Sequence, residues 1–297
     1  AFANTVPWAE GLAFIADNRD PERIDLVTYV GAHEIAHQWW AHQIIGADRQ
    51  GSTVLSETLS QYSALMVMKR MYGPDMIRKF LRYELGGYLR SRGGEVVEEL
   101  PLARVENQPY IHYRKGSLVM YLLQERRGED AVNRALRRLL AANAFKGAPY
   151  PTSPDLLAAL RAEAGPEHQQ LITDLFERIT LYDLKTRSAV AKKRADGRWD
   201  VILTVDARKF YADGKGKESE TPIPASEVFD VGVFTAEPGK PEFGRKDVLA
   251  LRLTGLRSGV QTITLTVDRP PKFAGIDPYN KQIDRASDDN AIKVTTR

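Results

Sequence analysis

Two histidines four residues apart flank a glutamate in the stretch His33-Glu34-Ile35-Ala36-His37. On a helix, four residues advance the chain by about 6 Å and turn it through about 40°, so both imidazoles leave one face. Imidazoles so placed can bind one zinc ion, and the glutamate beside them is positioned as a general base toward water. The chain holds five histidines and no cysteine, which excludes thiolate sites and disulfides and leaves histidine and carboxylate as metal donors. A zinc ion that does chemistry takes three protein ligands and keeps one position open. Glu57, in Leu55-Ser56-Glu57-Thr58-Leu59 on the next predicted helix, is the candidate third ligand, giving one zinc per chain. His42 competes with it, but five residues past His37 it points about 140° away round the helix. The ordinary alternatives are histidines satisfied on a buried helix face and a solvated helix glutamate.

Periodicity gives the elements that must position these residues. Asp20-Pro21-Glu22 has the form of an N-cap, a proline at the first helical position and an early acid, and predicts a helix running to about Ile45 and stopping at Gly46. A second helix is expected from Ser52 to Tyr72, ended by Gly73-Pro74, and a third from Pro74 to near Gly93-Gly94. Further helices are expected over 112–127, 129–145, 153–163 and 166–182, with Ser153-Pro154 repeating the cap-then-proline signal. Trp39 and Trp40, on the metal-carrying helix, are expected in the core. Near residue 185 the apolar period changes to two. Val201, Leu203 and Val205 form one alternating run, Phe229, Val231 and Val233 a second, and Ile263, Leu265 and Val267 a third. The expectation is an α+β chain, with a mostly helical domain over 1–185 followed by a C-terminal β-sandwich over 186–297.

Composition narrows the functional classes. With 43% apolar residues among 297 the chain can bury a sizeable core, and a formal charge of +3 offers no nucleic-acid face. Lys192-Lys193-Arg194 is too short a basic run to change that. No apolar run approaches the ~20 residues of a membrane span. Ala1-Phe2-Ala3-Asn4 is neither a charged leader nor a start methionine, so the chain reads as beginning in mid-domain.

The stretch His33-Glu34-Ile35-Ala36-His37-Gln38-Trp39-Trp40 resembles the H-E-x-A-H-Q-W-[FW] signature of the membrane alanyl aminopeptidase family of gluzincins. That resemblance implies a thermolysin-like zinc-peptidase domain with a peptide substrate, and a glutamate third ligand with 18 residues between it and the second histidine. Here Glu57 follows after 19, a departure absorbed most simply by one extra residue in the loop between the helices. Tyr113-Arg114-Lys115-Gly116 resembles the family's Y-x-K-G motif, which implies that Tyr113 stabilises the oxyanion, with Tyr110 as runner-up. Pro7-Trp8-Ala9-Glu10-Gly11 stands near the position of G-x-M-E-N but lacks its glycine, methionine and asparagine; the resemblance implies that Glu10 binds the substrate's free amine. Leu55-Ser56-Glu57-Thr58-Leu59-Ser60-Gln61-Tyr62 and Glu106–Gly116 are similar to a bacterial branch fused behind an ABC-type permease region, which implies a membrane-anchored full-length protein without the usual N-terminal β-domain in this stretch. The leading expectation is therefore a zinc aminopeptidase. An endopeptidase on the same metal site and a non-catalytic peptide-binding or sensing module of a transporter are the rivals.

Overall fold

In the computed structural model, which describes residues 1–296, Asp20-Pro21-Glu22 forms a turn and not a helix start: Asp20 Oδ1 accepts the Glu22 N–H at 2.9 Å. After a single helical turn, α1 (Glu10–Ala13), the metal-carrying helix α2 spans Leu26–Ala36. Its cap is Asp25, whose Oδ1 accepts the Thr28 N–H at 3.0 Å and satisfies one of the free donors of the first turn. The helix also ends earlier than expected, at Ala36. The N–H groups of Gln38 and Trp39 reach back three residues, those of His42 and Ile44 reach back five, and Ala41 sits at φ 129°, so the regular four-residue ladder stops. His37 terminates the helix with helical backbone angles, φ −59° and ψ −19°, which keep its ring on the His33 face.

Val54–Thr58 forms a π-helical turn that runs directly into α3 (Leu59–Tyr72), and Gly73 closes that helix at φ 85°. α4 spans Arg78–Gly94. A second π-turn, Tyr110–Lys115, opens α5 (Gly116–Arg127), followed by α6 (Glu129–Asn143) and α7 (Ser153–Glu163). The start of α7 matches the expected residue, but its cap is Thr152, whose N–H and hydroxyl both bond Asp155 Oδ2 at 2.7 Å. α8 (Gln169–Ile172) and a third π-turn, Thr173–Glu177, replace the helix expected to 182.

The chain divides into two compact units. The first comprises Ala1–Gly73, Tyr83–Ile179 and Asp213–Lys217; the second comprises Pro74–Arg82, Thr180–Ala212 and Glu218–Arg297. In the first unit, residues Gly116–Gln124 of α5 are buried all round, between α3, α6 and the two π-turns. Gly116 is where this packing is tightest. A Cβ there would lie 2.4 Å from Thr58 Oγ1, and that same hydroxyl donates to the His112 carbonyl at 2.6 Å. The two π-turns are thus clamped face to face.

The second unit holds two sheets. β1 (Ile179–Lys193) begins before the expected change of period, because its first four residues are all buried and show no alternation. β1 pairs with β2 (Trp199–Ala212); β2 pairs along its first part with β6 (Gly259–Val267) and along its last with β3 (Glu218–Thr221), and β9 (Thr295–Thr296) adds to β1 in parallel. The other sheet has the order β5 (Val248–Gly255), β4 (Val228–Phe234), β7 (Phe273–Ile276) and β8 (Ala291–Lys293), all antiparallel. Leu184, Val201, Val205, Val231, Val233 and Ile276 belong to one buried cluster fed by both sheets. The chain is therefore α+β, as its periodicity implies.

Substituting Gly116→Ala should push Thr58 off the His112 carbonyl and destabilise the chain by about 1–3 kcal/mol, the usual cost of overpacking. A urea midpoint equal to that of the unaltered protein would show that the contact gives freely.

Candidate metal centre

α2 presents His33 and His37 with ring centroids 4.6 Å apart and planes at 89°. The first π-turn brings Glu57 against them: its Oε2 lies 3.4 Å from His33 Nε2 and 3.3 Å from His37 Nε2. Ligand atoms of the three residues all fall within 4.8 Å of one another, the one such group of histidines and carboxylates among the described residues. Both histidines are 6% exposed, so the group is largely desolvated.

The protonation pattern follows from the neighbours. His37 Nδ1 is 2.9 Å from the Trp40 carbonyl, which can only accept, so Nδ1 carries the proton and donates it there. Ser60 Oγ lies 3.0 Å from the same nitrogen. In a neutral ring this leaves a lone pair on Nε2, the atom facing Glu57, the arrangement second-neighbour groups impose on metal-binding histidines. Burial pushes the Glu57 carboxyl up, but the His33 and His37 rings whose Nε2 atoms face it outweigh that and hold Glu57 well below the usual carboxylate range. His37 is raised: burial disfavours its charge, and the Glu57 carboxylate and the Trp40 carbonyl more than offset that. Glu57 Oε2 is buried and makes no well-formed hydrogen bond despite two nitrogens within 3.4 Å. Two imidazole nitrogens and one anionic oxygen, converging without a shared proton, are a donor set that fits zinc.

Two further groups border the cluster. Glu34, next to His33 on α2, keeps a carboxylate 22% exposed and lies 2.7 Å from the Ala1 nitrogen. Tyr113, on the second π-turn, tilts its ring over His33 at 5.6 Å between centroids. Burial first, then the charge of Glu57 and a hydrogen bond to it, then the charge of Glu34, raise the Tyr113 hydroxyl above its ordinary pKa. His112 is a member that sequence reasoning missed. It is buried, packs edge-on against Tyr113 at 4.5 Å, and burial lowers its pKa to about 4. The one available signal was that a fifth of the chain's histidines stands immediately before Tyr113.

Other expected residues lie elsewhere. Glu10 is exposed at the first position of α1, and no hydrogen bond joins it to the cluster among the described residues. His42 faces the Ala1 carbonyl at 3.3 Å and leaves the ligand position to Glu57. Tyr110 stacks on Tyr88 at 6.0 Å, away from the histidines, so Tyr113 is the tyrosine at the site. Trp40 is buried and donates to Ser63 Oγ at 3.1 Å, as a core residue would. Trp39 is not core: it is 45% exposed and, with Trp8, Ile35 and Val67, lines an open apolar cavity of about 790 Å³ on unit 1. The residue beyond the resembled spacing also has a place. A π-turn takes up one residue more than an α-turn of the same span, and Glu57 stands in one.

No family profile matches the chain. Among curated proteins it is similar to the Tricorn protease-interacting factor F2 of Thermoplasma volcanium, 23% identical over 212 residues that make up 68% of this chain. The chain spans about a quarter of that relative's length. Among solved structures it is similar to an M1 zinc metallopeptidase of Deinococcus radiodurans, a mutant bound to a tripeptide substrate, with a TM-score of 0.39, 21% identity, and coverage of 54% of this chain and 33% of that one. A second structure of the same mutant gives a TM-score of 0.40 and 22% identity, covering 50% of this chain and 32% of the other.

The chain should take up one equivalent of zinc. His37→Ala and Glu57→Ala should each lower the affinity by at least tenfold in competition with a chromophoric chelator. A His37→Ala protein that keeps a full equivalent at unchanged affinity would remove these residues from the ligand set.

Proposed function

We propose that the chain is the zinc-binding part of a peptidase that removes N-terminal residues from peptides. The observation that carries this reading is the convergence of Glu57 Oε2 on His33 and His37 within 3.4 Å, with Glu34 and Tyr113 bordering the same point. His33, His37 and Glu57 would hold one zinc ion, which supplies Lewis acidity toward the scissile carbonyl and acidifies water toward a pKa of about 7. Glu34 takes the proton of the attacking water and passes it to the leaving amine. Tyr113 donates its O–H to the carbonyl oxygen as negative charge develops there. Ser60 and the Trp40 carbonyl fix the His37 ring so that Nε2, and not Nδ1, faces the metal position. The family resemblance, the similarity to an archaeal protease-interacting factor and the donor chemistry all support this assignment.

The preference for N-terminal residues rests on the resemblance that places Glu10 at the amine anchor. The exposure of Glu10 favours a second reading, an endopeptidase on the same metal site. The resemblance further implies that the protein is bacterial and membrane-anchored, with unit 2 as a face-to-face sandwich of its two sheets; among the described residues no helix is long and apolar enough to cross a membrane.

Glu34→Gln should retain zinc and lose turnover by about 10²–10⁴, since it removes a base and no ligand. Undiminished peptide hydrolysis in that variant would refute the assignment, and absence of zinc-dependent hydrolysis in the unaltered chain would favour a binding or sensing module.

An amine anchor makes blocked substrates fail, because a neutral acetamide cannot replace the α-ammonium at a carboxylate. N-acetylated peptides should therefore be cleaved at least tenfold more slowly than their free counterparts. Equal rates would select the endopeptidase.

A further inference from the structure

The Glu84 carboxylate, on α4, is fully buried and lies outside the candidate metal centre, yet it gathers donors from three separate elements. Tyr29 donates its hydroxyl to Oε1 at 2.6 Å, Gln61 donates its amide to the same oxygen at 2.8 Å, and Arg114 bonds Oε2 at 3.1 Å. Each donor has a fixed relation to the site. Tyr29 precedes His33 by four residues on α2. Gln61 follows Glu57 by four on the helix that the first π-turn opens. Arg114 is the residue next to Tyr113. One helical turn separates the first two donors from the groups they would orient, so a displacement at Glu84 is carried to the site by rigid backbone.

We infer that Glu84 is a positioning residue: by binding Tyr29, Gln61 and Arg114 at once, it sets the relative placement of the segments that carry His33 and His37, Glu57 and Tyr113. Arg114 is itself held, with its guanidinium 4.5 Å over the Tyr83 ring, a bond to the Tyr83 hydroxyl at 3.3 Å, and its stem against Gly87, where a Cβ would lie 3.0 Å from Nε. A buried ion pair is weak evidence for stability, since well-packed apolar groups can match it; what apolar groups cannot supply is a set of directional bonds to three elements. Placement at this level matters, because a misplacement of about 1 Å in a catalytic constellation can cost 10²-fold.

This inference rests on the proposed peptidase site, and its test separates the two. Zinc affinity of the full chain, read by competition with a chromophoric chelator, requires no turnover. Glu84→Gln, which keeps the shape and removes the charge, should weaken zinc about tenfold, the low end of what outer groups contribute. Leu139→Ala, a core truncation on α6, is the control for general loss of stability and should leave zinc affinity within twofold. Zinc binding within twofold of the unaltered chain in Glu84→Gln, or an equal loss in Leu139→Ala, would overturn the inference; a Glu84→Ala variant serves only if it folds. In peptide hydrolysis, Glu84→Gln should lower kcat about tenfold with KM within threefold, and its effect should be smaller when Tyr113→Phe is already present, since part of it passes through that residue. Fully additive effects would contradict it. A weakened zinc site in a chain that hydrolyses no peptide would sink the peptidase reading and leave the positioning role standing.

Discussion

Holding one buried carboxylate oxygen between two imidazole nitrogens is the constraint to which the first unit answers. Glu57 Oε2 would be costly where it stands if neither a proton nor a cation lay between it and the rings. The surroundings keep it there. The Nδ1–H of His37 is committed to the Trp40 carbonyl, so the ring cannot turn its donor toward Glu57. The Thr58–His112 bond and the absence of a side chain at Gly116 hold the two π-turns at the one spacing that puts Glu57 and Tyr113 beside α2. α5, buried on every side, supplies the fixed body behind them. A site of this kind is preorganised by packing at a distance from the donors themselves.

The histidine–glutamate cluster was legible because its signal is local: spacing on a single helix suffices to put His33 and His37 on one face, and the next helix supplies Glu57. The end of α2 was not, because the turn after His37 depends on Ala41 and on bonds to Trp39 and Ile44 that no period announces. Its start failed for a different reason: Asp20-Pro21 and Asp25 carry the same capping chemistry, and only the folded chain shows which aspartate has helix after it. The missed half of β1 is a case of double burial, where alternation vanishes. Glu10 came from resemblance alone, with no neighbouring residue to support it, and the structure leaves it exposed. Glu84 gave no signal at all, because its bonds join elements distant in sequence.

In the second unit, both sheets are ordinary in pattern, with inward Val and Leu feeding one cluster. The loop after β7 is unlike them. Asp277, Asn280, Gln282, Asp284 and Asn290 are all buried, and burial raises the carboxyls of Asp277 and Asp284 to about 7. Asp277 offsets part of that cost by accepting the backbone N–H groups of Lys281 and Gln282 at 3.0 Å, and Lys281 pairs with Asp230 at 3.3 Å. Asp277 thus braces the loop by side chain, while backbone bonds from Tyr182 to Ile283 and from Arg285 back to Tyr182 tie it to β1.

The π-turn around Glu57 also governs how this chain tolerates changes in length. Removing one residue from Val54–Thr58 would let the turn relax to α geometry, and one residue of helix is about 100° of rotation. Because the π-turn holds that one residue over the span of an α-turn, its loss would leave the chain from Leu59 onward on the same face, with Ser60 at His37 and Gln61 at Glu84, whereas the same loss inside α3 would turn everything beyond it. A deletion in an exposed turn such as 195–197 shifts only the chain around it. Length variation among sequences related to this one should therefore collect in such turns and at the π-turn itself, and be excluded from the body of α3.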